Sequence, residues 1–557
     1  MQTTIFIEVY VRLPWFALPQ TALLKIYFVQ LCMRIIKLTF TICYIFFVAS
    51  SSAQIDQKYI RDFLNNDSSF KSISLQYPLQ VKRFYTIFNF NTAWISNNSN
   101  QHIFLQLLNQ TDSLGLQRRD YQPSFLQSYT NYTYALNNVN DSLFAELYFT
   151  DMAIHFFRDV VYGNHPPVLD YNGLKYNPDC TDIVTLLAKT IENNQLNGLL
   201  NAVEIKSKEY LALKNKIIQY SKIIGDKFFK EALITSNQVS ANNVALFKKL
   251  YQLGFLNTDT ATIAIPQLVT KLKMAQRFLG LSDDGLLKST TINTLNIPLV
   301  TRVEELKLAL NTVRWLNCIK QSVYVIIINL PSANLVLYKN GKVLLESRII
   351  VGKKATPTPT QSSKITEVIL NPRWTVPYKI ASKELLPIIQ KNSSYLEDNN
   401  FEVLDEYGQI IDPLTIDWTS LNTKKFPYTL RQSSGVGNSL GIIKLNFYNP
   451  FNTYLHDTPQ KGLFKKNKRY FSHGCMRVEK VMPLAHLLLD QKTLTNVNKL
   501  KEKDSLYGHA PTVLQAKEKI PILILYNTAW VDAEGKIGFY EDVYERFLLR
   551  KKDGTTE

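Results

Sequence analysis

Residues 322–352 read SVYVIIINLPSANLVLYKNGKVLLESRIIVG, and here the period of the apolar residues changes. Upstream they recur at three- and four-residue intervals, as on a helix face. Here they form short apolar runs separated by turns, the pattern of strands. The reading is strand, turn, strand, hairpin, strand. Asn340-Gly341 sits at the hairpin, and Asn-Gly is the strongest short hairpin signal because both positions of a type I′ turn need positive φ. Further strands follow in SKITEVILNPRWTVP (363–377), GIIKLNFYNP (441–450) and IPILILYNTAWVD (520–532). The carboxyl half is therefore a mostly β domain. It is interrupted from about Tyr378 to Leu430 by a long insertion with helical pieces, and such an excursion usually serves as a lid or a binding element.

Outward from that domain the chain is helical. From Ile55 to about Ser236 it is amphipathic, as in LLNAVEIKSKEYLALKNKIIQYSKII (199–224), with Asn-rich loops between helices. His102, His155 and His165 are isolated there, and each reads as a core or surface residue. A compact unit follows from about Ser240 to Pro298, with short helices around the turn SDDG, where Gly285 supplies a left-handed conformation. TRVEELKLALNTVRWL (301–316) is a longer helix. The fold class is α+β and multidomain.

With 557 residues and a formal net charge of +17, the surface favours polyanions: nucleic acid, an anionic wall or a membrane surface. No zinc-finger spacing or RNA-recognition signature accompanies the charge, so it does not by itself point to nucleic acid. At the amino end, MRIIKLTFTICYIFFVASSSAQ (33–54) has a basic start at Arg34 and Lys37, an apolar run from Leu38 to Ala49, and small residues at Ser51-Ser52-Ala53. That is a secretory signal if translation starts at Met33, and an uncleaved anchor is the alternative. Either places the bulk of the protein outside the cytoplasm. Cys32 and Cys43 fall in this segment; the body keeps Cys180, Cys318 and Cys475. No two of these three are spaced as a metal knuckle. Cys180 and Cys318 read as structural thiols, with mutual pairing one option.

Cys475 has the local chemistry. It stands in RYFSHGCMRVEK (469–480), downstream of NTYLHDTP (452–459). A thiol reacts near neutral pH when an imidazole takes its proton, and the thiolate then attacks a carbonyl carbon. Gly474 frees space where backbone must approach substrate, and the Cys475 amide with a neighbouring amide faces the developing oxyanion. His456, at the end of a strand, can be aimed independently of the thiol and is the favoured base. His473, two residues from Cys475, would support the thiol or the substrate by hydrogen bonds.

SHGCMR with its upstream histidine resembles the signature of L,D-transpeptidases with a YkuD-type catalytic domain. The likeness extends through VYVIIINLPSANLVLYKNGK, SRIIVGKKATPTPTQSSKITEVILNPRWTVP, NSLGIIKLNFYNPFNTYLHDTP and TAWVDAEGKIGFY, and is similar to the large YcbB-like branch. After the signal or anchor read at 1–53, the resemblance implies a helical scaffold at 54–235 and a peptidoglycan-binding-like unit at 236–299. A scaffold helix at 300–320 and a catalytic domain at 321–550 follow, with a capping insertion at 378–430. It implies Cys475 as nucleophile, His456 as base, and Gly474 with Cys475 shaping an oxyanion hole. Ser472 and His473 belong to the same motif, Tyr454 lies beside the base, Arg477 would meet a substrate carboxylate, and Asn438 would shape the site wall. In the loop SSGVGN, Val436 departs from the family pattern. The implied reaction forms 3→3 peptidoglycan cross-links, releasing D-Ala from donor tetrapeptides, with no metal or cofactor. The implied partners are stem peptides and glycan, with carbapenem-type inhibitors and no nucleic acid, in the periplasm or cell envelope and with inner-membrane association through the amino end. The alternatives are an L,D-carboxypeptidase or endopeptidase trimming stems, and a non-catalytic wall-binding scaffold.

Overall fold

The apolar runs in 322–352 become three antiparallel strands, Val325–Asn329, Asn334–Lys339 and Lys342–Gly352. Asn340 and Gly341 both have positive φ, 47° and 76°, so the turn twists with the strands as type I′ does. The computed structural model describes residues 55–121, 138–260, 263–490 and 510–547. The leader or anchor read at 1–53 lies outside the described residues. No helix among the described residues is long and apolar enough to cross a membrane.

These three strands belong to a ten-stranded sheet that closes on itself. From Gln361–Leu370 it passes through Ile443–Phe447, Leu455–His456, Met476–Val478 and the three strands above to Thr512–Leu525, which pairs back with Gln361–Leu370. Tyr470–Ser472 lies off this path, alongside Lys342–Gly352. The run VIIIN is apolar without alternation because both its faces are covered. Ile326 and Ile328 join the core beneath the helix Val481–Leu488, while Val325 and Ile327 pack with Trp315 and Leu316 of the helix Leu299–Lys320.

The amino-terminal helices pack around Val139–Tyr162, which is buried along most of its length. Its Glu146 carboxylate accepts hydrogen bonds from the backbone of Ala93, Trp94 and Ile95 and from the Tyr85 hydroxyl, so a buried acid organises the turn before the helix Asn98–Leu108. This helical part also lends Tyr171–Asn172 to the sheet, parallel to Gln361–Leu370. Nothing in the sequence period announces that two-residue strand.

The unit at 236–299 has the helices Val244–Gln252, Ile265–Phe278 and Ser289–Leu295, and Gly285 has φ 77°. Its core is continuous with the helix Lys208–Ile224, with Leu299–Lys320, and with the terminal hairpin of Ala529–Val531 and Ile537–Phe539. Boundaries at 235/236 and 299/300 therefore run through a single core. The insertion has its own four-stranded sheet, built from Trp374–Thr375, Thr429–Gln432, Phe401–Leu404 and Ile410–Ile411, with its own buried cluster. It thus starts before Tyr378 and ends after Leu430.

Cys180 and Cys318 form a disulfide, closing a sequence separation of 138 residues. It ties the loop that follows the helix Val139–Tyr162 to the end of the helix Leu299–Lys320, where the Tyr176 hydroxyl also donates to the Trp315 carbonyl. Closing so long a loop constrains the unfolded chain, and a native disulfide typically contributes about 2–5 kcal/mol. A Cys180→Ala/Cys318→Ala variant is expected to lose stability of that order in denaturant unfolding; an unchanged midpoint and slope would show the bridge contributes nothing.

Candidate active site

Two short strands set the site. Leu455–His456 runs parallel to Met476–Val478, with Leu455 opposite Met476 and His456 opposite Arg477. Because side chains alternate along a strand, Leu455 and Met476 enter the core while Tyr454, His456 and Arg477 face the other way, with Cys475 entering on that side. On the adjacent strand Lys444 pairs with His456, between the core residues Ile443 and Leu445. Lys444, Tyr454, His456, Cys475 and Arg477 thus share one face. In this register His456 and Cys475 are diagonal neighbours, roughly 7–8 Å between backbones and within reach of an imidazole.

The loop carrying Cys475 is braced from below. Gly474 has φ 112°, a conformation side chains disfavour, and a Cβ built there would meet only ordinary contacts. The glycine is therefore required by backbone conformation rather than by crowding. Ser472 Oγ donates to the Cys475 carbonyl at 2.5 Å and accepts from Gly474 N–H at 3.2 Å. Thr358 Oγ1 donates to the Gly474 carbonyl at 2.9 Å. The Cys475 N–H makes no hydrogen bond among the described residues, so it is free to meet a substrate oxygen.

On the other side of the thiol, Asn449 pins the turn 449–453: its Oδ1 accepts from Phe451 N–H and Thr453 N–H, and its Nδ2 donates to the Thr453 carbonyl at 2.8 Å. This presents Tyr454, whose backbone N–H and hydroxyl both hydrogen-bond the sulfur. Cys475 Sγ also lies 4.0 Å from the Asn452 carbonyl. The Tyr454 ring lies 5.6 Å from that of His456, and the Lys444 ammonium sits 4.1 Å from the centre of its face.

The electrostatics follow from burial. Burial pushes the Cys475 thiol up, opposed by the Tyr454 hydrogen bonds and by the positive charges of Lys444 and Arg477. Burial first, and then Arg477, push His456 down to about 3. The resting pair is therefore a neutral thiol and a neutral imidazole. His456 Nδ1 is buried without a hydrogen-bond partner, while the ring interacts with the backbone of Leu440 and Asp457. Arg477 donates from Nη1 to Gln460 at 2.7 Å, its Nε is buried and unpartnered, and it has no acidic ion-pair partner among the described residues. The site is a cationic pocket around a protonated thiol.

Of the residues singled out from sequence, Cys475, His456, Tyr454 and Arg477 come together. Three others do other work. His473 turns away from the thiol, its Nε2 2.7 Å from Glu384 of the cap and 3.3 Å from Lys353. Ser472 is buried, with its hydroxyl committed to the loop that carries Cys475, so it positions backbone. Asn438 is buried too, its Nδ2 on the Ser433 carbonyl at 2.8 Å and its Oδ1 on Leu440 N–H at 2.7 Å, so it staples its own loop. The Gly474 amide points at Ser472, leaving Cys475 N–H beside the Tyr454 N–H and hydroxyl that meet the sulfur.

Sequence reasoning passed over Lys444 and Trp374. Lys444 carried a signal: in GIIKLNF it is the charge on the face opposite Ile443 and Leu445. Trp374, from the first strand of the cap, hydrogen-bonds the Tyr454 side chain and carried none, because only folding of the insertion brings it there. No group of three or more metal-binding side chains stands among the described residues.

Residues 323–497 match the family model of the L,D-transpeptidase catalytic domain, YkuD, and residues 79–217 match that of a scaffold domain. The carboxyl-terminal domain is thus similar to the YkuD-type L,D-transpeptidase catalytic domain over these residues. A Haemophilus influenzae protein named "Putative L,D-transpeptidase" is 37% identical over 238 residues, 43% of this chain and 47% of that protein, so the match spans about half of the relative. Among solved structures, an L,D-transpeptidase from Mycobacterium smegmatis matches 36% of this chain and 58% of its own, at 12% identity and a TM-score of 0.15. L,D-transpeptidase 1 of Mycobacterium tuberculosis matches 36% and 59%, at 12% identity and a TM-score of 0.13.

The depressed imidazole fixes two pH effects. Alkylation by iodoacetamide, followed on the peptide carrying Cys475, is expected to rise on the alkaline side of the ordinary thiol value of about 8.5, with no inflection near 6.5. A step near 6.5 would show that His456 titrates as an ordinary imidazole. Because the folded value lies below the unfolded one, His456 contributes no loss above about pH 6.5, and stability falls as pH drops from there toward 3.

Proposed function

We propose that the chain is a cysteine-dependent L,D-transpeptidase that forms 3→3 cross-links between peptidoglycan stems. The observation that carries this reading is the shared face holding Cys475, His456 with its unpartnered Nδ1, and a free Cys475 N–H, in a domain of the L,D-transpeptidase family.

Donor binding brings a carbonyl to Sγ. The Cys475 proton passes to His456 Nδ1, and the sulfur attacks the carbonyl carbon of the third stem residue. Charge developing on the carbonyl oxygen is met by Cys475 N–H and the Tyr454 hydroxyl, which burial and the adjacent thiol keep protonated. The C–N bond to the terminal D-alanine breaks, and the imidazolium returns its proton to the leaving amine. The side-chain amine of a second stem then gives a proton to His456 and attacks the thioester. The C–S bond breaks and the thiolate is reprotonated. Lys444 and Arg477 favour anionic forms of the sulfur and disfavour a resting imidazolium, so the base stays available. Arg477, with a guanidinium edge unsatisfied, is the contact for a stem carboxylate.

The Cys180–Cys318 disulfide supports an oxidising compartment, and together with the leader pattern it favours the periplasm or cell envelope, tethered or free. The scaffold match supports the YcbB-like branch.

Two measurements test the reading. Intact-protein mass spectrometry after exposure to a carbapenem is expected to give one adduct, mapped to Cys475 and absent from Cys475→Ala; an unmodified wild-type protein would refute the acyl-enzyme. His456→Ala is expected to slow acylation by about 10²–10⁴-fold, the usual contribution of a positioned general base. With purified tetrapeptide muropeptides, new dimers mark transfer, and trimmed monomers alone would make the enzyme a hydrolase.

A further inference from the structure

The Cys475 N–H belongs to the same peptide unit as the Gly474 carbonyl. That unit is planar and trans, so its C=O and N–H point in opposite directions. Whatever holds one aims the other. Gly474, at φ 112° and without a Cβ, leaves this plane free to rotate, because nothing nearer than ordinary contact surrounds the place a Cβ would take. Something outside the loop therefore has to set the direction of the Cys475 N–H.

Thr358 does so. It is fully buried, and its Oγ1 donates to the Gly474 carbonyl at 2.9 Å. The same oxygen accepts from Gly352 N–H at 2.9 Å, which leaves its single proton for Gly474. Gly352 has no room for a side chain, since a Cβ there would run into the Thr356 carbonyl. Thr358 is held in turn by Tyr544, which lies beyond the family match. The Tyr544 hydroxyl accepts from Thr358 N–H at 3.3 Å and donates to the Gly352 carbonyl at 2.7 Å, so it clasps both ends of the turn 352–358. Tyr544 is itself fixed. Its ring stacks on Tyr526 with centroids 5.5 Å apart, and its N–H donates to the Tyr526 hydroxyl at 2.9 Å. Two residues on, Arg546 reaches Asp170 at 2.7 Å and Thr360 Oγ1 at 2.8 Å. Burial pushes the Tyr544 hydroxyl up, so it stays a donor.

We infer that Tyr544 and Thr358 are positioning residues that act in series to aim the Cys475 N–H at the carbonyl oxygen of an acyl donor. The inference rests on the reading of Cys475 as an acylated nucleophile. Both residues act through backbone. Their loss therefore affects attack on a carbonyl, where an oxyanion forms, and spares displacement at a saturated carbon, where none does.

The full chain is tested with reagents of both kinds, followed by mass spectrometry on the peptide carrying Cys475. Iodoacetamide alkylates the thiolate and releases iodide, with no oxyanion. With 4-nitrophenyl acetate the S–C bond forms, negative charge passes through the carbonyl oxygen, and 4-nitrophenolate leaves. Thr358→Val is expected to slow acylation of Cys475, by the ester and by a saturating carbapenem, about 10–100-fold. Tyr544→Phe, which keeps the ring stacked, slows it about three- to tenfold. The double variant is no slower than Thr358→Val, because the two act in series. Thr358→Ser keeps the hydroxyl and recovers the acylation rate. Alkylation by iodoacetamide keeps its wild-type rate and pH dependence in every variant, and the carbapenem concentration giving half the maximal rate does not move.

Wild-type acylation by Tyr544→Phe overturns the inference, as does wild-type acylation by Thr358→Val. So does alkylation that slows in parallel, since the loop would then simply have moved, and so do losses that multiply in the double variant. Should Thr358→Val not fold, Tyr544→Phe carries the test alone. Wild-type protein acylated at Cys475 by the ester but by no carbapenem, with the same pattern among the variants, refutes the transpeptidase reading and leaves the positioning inference standing. Wild-type Cys475 that neither reagent acylates overturns both.

Discussion

The parallel pairing of Leu455–His456 with Met476–Val478 is the constraint on which the site depends. It spans only two residue pairs, His456 with Arg477 and Leu455 with Met476. A one-residue slip would send His456 into the core and Leu455 into the cleft. The register is held by packing beneath it, where Leu455, Met476, Ile443 and Val478 are buried together. The geometry of the candidate site is thus secured by apolar residues on the opposite face.

A second layer of control is polar and lies in the loops. Asn449, Ser472, Thr358 and Asn438 spend their hydrogen-bonding capacity on nearby backbone, and so decide where Tyr454, Gly474 and Cys475 stand. None needs to meet substrate to matter. The cap adds Glu384, joined to His473, and Trp374, joined to Tyr454. The insertion therefore grips both strands of the site, and part of that grip comes from the π-helical turn Ala381–Leu385, an uncommon conformation found often at functional positions.

Much of this was legible before folding. The Asn340-Gly341 hairpin, the alternation in GIIKLNF and the SHGC segment each carry a local signal whose physical cause is local, and the structure forms them accordingly. What was not legible depends on long-range pairing. Tyr171–Asn172 becomes a strand only because Gln361–Leu370 offers it an edge. The sequence favoured His456 because it comes from a separate element, but it gave no sign that His473, two residues from Cys475, is taken up by the cap. That distinction needs the register, which places His456 beside the thiol's face and leaves His473 to Glu384.

The closing of the sheet has a practical corollary. Its last strand, Thr512–Leu525, lies beyond the family match that ends at 497, and Tyr171–Asn172 lies far before its start. A gene fragment cut to the homology limits would leave Val325–Asn329 and Gln361–Leu370 with bare edges, each an invitation to sticky self-association. The smallest piece that keeps this sheet closed is thus larger than the piece that sequence kinship outlines.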